Sequence, residues 1–230
     1  MKTIGLLGGM SWQSTASYYK AINEGVNKHL GGLHSAKICM NSVDFSEIEA
    51  LQQLGDWPAT ARILCNAARS IEAAGADFLL ICTNTMHKVA DDIEASLTIP
   101  LLHIADATGK KLVEDGIGRV GLLGTKFTME EDFYKTRLTE KFGIEVIIPD
   151  AKAREAVHNV IYQELCLGKI LDHSRQEYLH IIESLRVKGA EAVILGCTEI
   201  ALLVQQQHTS VPLYDTTEIH SSEAVRMALQ

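Results

Sequence analysis

Short apolar runs alternate with amphipathic stretches along the 230 residues of the chain. That rhythm predicts βα units around parallel sheets. Strands are expected near Thr3–Leu7, Ala36–Val43, Phe78–Cys82 and Pro100–His103. A second set is expected near Arg119–Leu123, Glu145–Ile148, Ala192–Leu195 and Pro212–Tyr214, with helices filling the gaps. One helix should start after Ser11 as its N-cap. Another should follow Thr128, where TMEE supplies a Thr-x-x-Glu capping box with Glu131.

The pattern is written twice. Ile4–Gly9 (IGLLGG) matches Val120–Thr125 (VGLLGT). Gly75–Thr85 (GADFLLICTNT) matches Gly189–Glu199 (GAEAVILGCTE), and Ile99–Thr108 matches Val211–Thr217. The offsets are 116, 114 and 112, so only small insertions separate the copies. Shared βα grammar would produce isolated matches, but the common order favours a duplication. The predicted fold is α/β, with two pseudo-symmetric Rossmann-like lobes. Each is a small, mostly parallel sheet flanked by helices, with the active site in the cleft between lobes. Lobe 1 is expected over residues 1–102 with a C-terminal return over 213–230, and lobe 2 over 103–212. Ligands of such sheets gather outside the carboxyl ends of the strands. There the duplication sets Thr83 opposite Cys197 as equivalent residues.

Composition narrows the function. The net charge of −8 argues against nucleic-acid binding. Five cysteines without regular spacing form neither a zinc pattern nor a disulfide framework, so a reducing, cytoplasmic setting is expected. The first ten residues lack the full pattern of a signal peptide, and no apolar run is long enough to span a bilayer. The nine histidines do not fall at ligand spacing and no Walker A loop appears, so neither metal nor nucleotide chemistry has support in the sequence.

The candidate chemistry lies at the strand ends. GLLGGMSW lacks dinucleotide-fingerprint spacing. It reads as a tight strand-to-helix turn, as a set of backbone N–H groups for a small carboxylate, or as both. Cys197 can be a small buried hydrophobe. Alternatively, a following helix N-terminus can lower its pKa, with Thr198 and Glu199 beside it. Thr83, Asn84 and Thr85 can be a capped helix start or a polar rim. His87, one turn beyond Thr83, can be a solvated imidazole, a buried hydrogen-bonding group or a support behind the rim. Cys82 should point into the core by strand alternation. Cys39, Cys65 and Cys166 read as structural.

Taken together, GLLGGMSW, TNTMH after a strand and GCTE after a later strand resemble the aspartate/glutamate racemase family, nearest its enterobacterial L-aspartate/glutamate-specific subgroup. The resemblance runs along essentially the whole chain. It implies a cofactor-independent amino-acid racemase, homodimeric by analogy with the family, whose two cysteines flank the substrate α-carbon. The second-half cysteine is Cys197. The first-half motif, usually Cys-Asn-Thr-x-His, reads Thr83-Asn84-Thr85-Met86-His87 here. A hydroxyl is a much poorer acid and base than a thiol. Cys197 is therefore expected to take the proton from the L-enantiomer, and Thr83 to return one directly or through water. The resemblance assigns the α-amino and α-carboxylate groups to Met10, Ser11, Asn84, Thr85, Thr198 and Glu199. At the positions facing a distal carboxylate it places Gln52 and Glu164, neither of them basic, so a neutral polar side chain also fits. Two other readings stand beside racemisation: a malonate decarboxylase on the same scaffold, and a non-catalytic module that binds a small ligand.

Overall fold

The computed structural model describes residues 1–230 and divides into two compact units, Met1–Ile104 with His220–Gln230, and Ala105–Ile219. The first crossing falls two residues later than the sequence suggested. The second falls seven residues later, because the last strand pairs within the second unit.

The first unit contains β1 (Ile4–Gly8), α1 (Trp12–Leu30), β2 (Ile38–Ser42), α2 (Phe45–Leu54), α3 (Trp57–Ala73) and β3 (Phe78–Ile81). A 3-10 turn (Thr85–Val89) and α4 (Ala90–Ala95) follow. Its sheet has the order β2-β1-β3, all parallel. The strand expected at Pro100–His103 is reduced to a bridge between Leu79 and Leu101. Pro100 has no N–H to extend a ladder, although its carbonyl accepts from Leu79 N–H at 2.9 Å.

The second unit contains α5 (Ile104–Glu114, whose first residue belongs to the first unit), β4 (Arg119–Gly124), α6 (Lys126–Glu130), α7 (Asp132–Phe142), β5 (Glu145–Ile147) and α8 (Ala151–Gln163). A 3-10 turn (Leu165–Leu167), α9 (Asp172–Val187), β6 (Ala192–Gly196), α10 (Ile200–Leu203) and β7 (Leu213–Asp215) follow. Its parallel sheet has the order β5-β4-β6-β7. The final helix, α11 (Thr216–Leu229), ends in the first unit. There Ala224, Val225 and Ala228 pack with Tyr18, Ile22 and Val26 of α1.

β1, β3 and β6 are buried along their whole length, which explains their continuous apolar runs. The duplication survives as shared devices. Ile4 pairs Phe78 in one sheet as Val120 pairs Ala192 in the other. Asp77 accepts from Thr3 N–H at 2.6 Å, and its counterpart Glu191 accepts from Gly118 N–H at 2.8 Å. Gly75 and Gly189 both turn the chain from helix into strand at φ of +93° and +98°, a conformation that favours glycine.

Ser11 caps α1 as the sequence indicates, its hydroxyl accepting from Ser14 N–H at 3.2 Å. The cap expected at Thr128 is displaced. Thr125 caps α6 by accepting from Thr128 N–H, and Glu131 becomes the N-cap of α7. The earlier threonine ends β4 directly and takes the role. No helix is long and apolar enough to cross a membrane.

Candidate active site

In the first unit, β1 and β3 end side by side. Cys82 N–H donates to Leu7 O at 2.9 Å, and Ser14 Oγ donates to Cys82 O at 2.7 Å. These bonds hold the Met10–Ser11 turn near the Thr83–Thr85 turn. Met10, Ser11, Asn84 and Thr85 are buried and Thr83 is half-buried. Cys82 is buried in the core between α1 and α11, and burial pushes its thiol far above the ordinary range. Gln52 is buried on α2, the helix that follows β2.

His87 is neither solvated nor free to titrate near neutrality. Its Nε2 accepts from Ile104 N–H at 3.2 Å, so Nδ1 carries the proton and donates to Thr83 O at 2.8 Å. Burial, with His103 and His220 nearby, holds its pKa well below the usual imidazole value. His87 is thus a neutral strut that fixes the backbone of Thr83. The ring centroid of His103 lies 4.4 Å away. His220 is locked in the same manner. It hydrogen-bonds Leu102 O through Nε2 and the Tyr18 hydroxyl through Nδ1, both at 2.8 Å, and burial lowers its pKa to about 4. The role of His103 and His220 behind the Thr83 turn had no local signal in the sequence.

The second unit ends β6 on a different chemistry. The half-buried Cys197 donates from Sγ to Glu199 Oε2 at 3.0 Å. Burial first, and the negative charge of Glu199 second, push the thiol well above its usual value. The lowering expected from a helix N-terminus is therefore corrected. α10 has four residues, Ile200–Leu203, too few to set a dipole against an adjacent carboxylate. Glu199 is also placed on the thiol, where the resemblance had it on substrate. The pair can act as a relay: the carboxylate takes the thiol proton at the moment a thiolate is needed.

Thr198 accepts from the Thr217 hydroxyl at 3.1 Å, which ties the Cys197 turn to the start of α11. Glu164, expected to face substrate, accepts from Ser174 Oγ at 2.6 Å at the end of α8. Cys166, read from sequence as structural and without polar company, lies within electrostatic reach of Glu199 and Cys197. Burial and the Glu199 charge push its thiol up to about 12. Tyr178 donates to Val157 O at 2.9 Å and feels the charges of Cys197, Glu164 and Cys166. No sequence spacing links α8, α9 and β6, so this company could not be read in advance.

Comparison with known proteins places this geometry. Residues 7–224 match the Asp/Glu/Hydantoin racemase family. The fold is similar to a solved Yersinia pestis protein proposed as an Asp/Glu racemase, with 58% identity, all of both chains covered and a TM-score of 0.94. It is also similar to an aspartate racemase homologue from Pyrococcus horikoshii, with 35% identity, all of both chains covered and a TM-score of 0.88. A broad specificity amino-acid racemase from Bacillus subtilis is 22% identical over 93% of this chain and 92% of its own. With strand ends arranged as described and a match along nearly its whole length, the chain belongs to the Asp/Glu/hydantoin racemase family.

Proposed function

We propose that the protein racemises aspartate and glutamate, using its own side chains to move the α-proton. The observation that carries this reading is the 3.0 Å hydrogen bond from Cys197 to Glu199. A thiol held far above its usual pKa is a poor base at neutral pH unless a neighbour accepts its proton. Glu199 is that neighbour.

Cys197 passes its proton to Glu199, and the resulting thiolate removes the Cα proton of an L-amino acid. The carbanion is reprotonated on its opposite face from the Thr83 side, by the hydroxyl or by a water bound to it. Met10 and Ser11 backbone, Asn84, Thr85 and Thr198 hold the α-amino and α-carboxylate groups. Gln52 and Glu164 bear on the side chain. Neither residue is basic, and the Bacillus subtilis relative is a broad specificity racemase, so the range includes neutral polar side chains. With one thiol and one hydroxyl, entry from the L-side is the faster half-reaction.

The experiment is solvent exchange in heavy water with L-aspartate, L-glutamate and a panel of polar amino acids, with Cys197→Ser as control. Deuterium uptake at Cα that vanishes in the control supports the reading. Binding without exchange would make the protein a ligand-binding module. Carbon dioxide release from a disubstituted malonate, without amino-acid exchange, would make it a decarboxylase.

A further inference from the structure

Away from the strand ends, the first unit carries a cleft of about 670 Å³ along α3, closed on its other side by the end of the 3-10 turn and by α4. Arg62, Asn66 and Arg69 line it at positions i, i+4 and i+7 of α3. They therefore form one row of about 10 Å along the helix. Arg69 donates to Asn66 Oδ1. Both arginines are exposed. Lys88 faces them, its ammonium 4.2 Å from the ring centroid of Trp57, which also lines the cleft.

Asp92 is the one carboxylate in this lining, set against three cations. The sign is opposite to that of the whole chain, whose net charge is −8. Guanidinium groups present planar forks that match phosphate and carboxylate oxygens. Two of them on one row, two helical turns apart, beside an indole that already holds a cation, suit a ligand with separated anionic groups and a body that rests on Trp57. None of these residues is among those assigned to substrate.

We propose that this cleft binds a small organic polyanion of the phosphate or polycarboxylate class. Its wall is joined to the rim that bears Thr83. Lys88 follows His87, whose imidazole holds Thr83 O at 2.8 Å. Occupancy that draws on Lys88 therefore bears on the position of Thr83. This second step, the coupling to exchange, rests on the racemase reading given above, whereas binding itself does not.

The test uses the whole chain carrying Trp12→Phe, which leaves Trp57 as the sole indole of the two in the sequence. Inorganic pyrophosphate is titrated while Trp57 fluorescence is followed, with citrate as the polycarboxylate arm. Saturation is expected near about 0.1–1 mM. Arg62→Gln with Arg69→Gln should weaken it by at least about tenfold while the far-UV circular dichroism and basal exchange stay unchanged. A linear response, or saturation untouched by the double substitution, would overturn the site. Saturable binding that leaves D- and L-exchange rates unaltered would overturn the coupling to Thr83. Because fluorescence reports binding without catalysis, a failed racemase reading and a failed site are told apart.

Discussion

The two units build the same strand end and then equip it differently. At the first, Thr83 sits on a turn whose carbonyl is held by a neutral imidazole, with His103 and His220 behind it. At the second, Cys197 sits on a turn with Glu199 on its sulfur. One turn is stiff and has no strong acid or base of its own. The other holds a thiol hydrogen-bonded to a carboxylate. The contrast shows that duplication preserves backbone geometry, such as Gly75 and Gly189, more faithfully than chemistry. Under the proposed mechanism, the second unit drives proton abstraction and the first positions the return.

The comparison breaks most sharply at the sulfur. Cys197→Ser should reduce exchange of L-substrate by about 10³-fold or more, measured by deuterium uptake, since a hydroxyl replaces the thiol that donates to Glu199. A loss under tenfold would remove Cys197 from the reaction. Glu199→Gln is expected to lower kcat by about 10²–10³-fold, within the range for a lost general base. The same change should bring the Cys197 pKa down, because the carboxylate raises it now. Alkylation rate against pH would register that fall. An unchanged alkylation profile would separate Glu199 from the thiol.

How far these features were legible can be argued residue by residue. Alternating apolar runs gave the two sheets, since fully buried parallel strands need continuous apolar sequence. The Ser11 cap depends on nearest neighbours and was readable for that reason. Thr128 misled because two threonines three residues apart both satisfy a capping pattern, and only the end of β4 selects Thr125. His87 was open to reading as a support one helical turn from Thr83, but its partners His103 and His220 and the company of Cys166 were not readable. Each joins residues that the fold, not the spacing, brings together. The pKa direction of Cys197 failed similarly: burial and Glu199 overrule a helix dipole that a four-residue helix cannot supply.

The histidine side of the comparison has its own test. His220 has a folded pKa of about 4 against an ordinary 6.5. Above pH 6.5 it is neutral in both states. As pH falls towards 4, the unfolded chain takes up a proton that the folded chain refuses, so stability declines, by about 3 kcal/mol for this group. His87, also held low, adds a loss of the same sign. Urea midpoints at pH 7 and pH 5 should therefore differ, and His220→Gln should flatten that dependence while lowering stability at pH 7. Equal midpoints for the wild type would show that the histidines are not held neutral.

The smallest expected effect repairs the asymmetry. Thr83→Cys restores a thiol at the first strand end and should raise D-substrate exchange by about tenfold. L-exchange should change little.

The central claim is that the two strand ends act unequally, and one measurement reaches it directly. Initial rates of α-deuteration should be taken for wild-type protein with pure L- and pure D-aspartate in heavy water, at matched saturation. The account predicts faster uptake from the L-enantiomer. Equal rates, or faster uptake from the D-enantiomer, would contradict it.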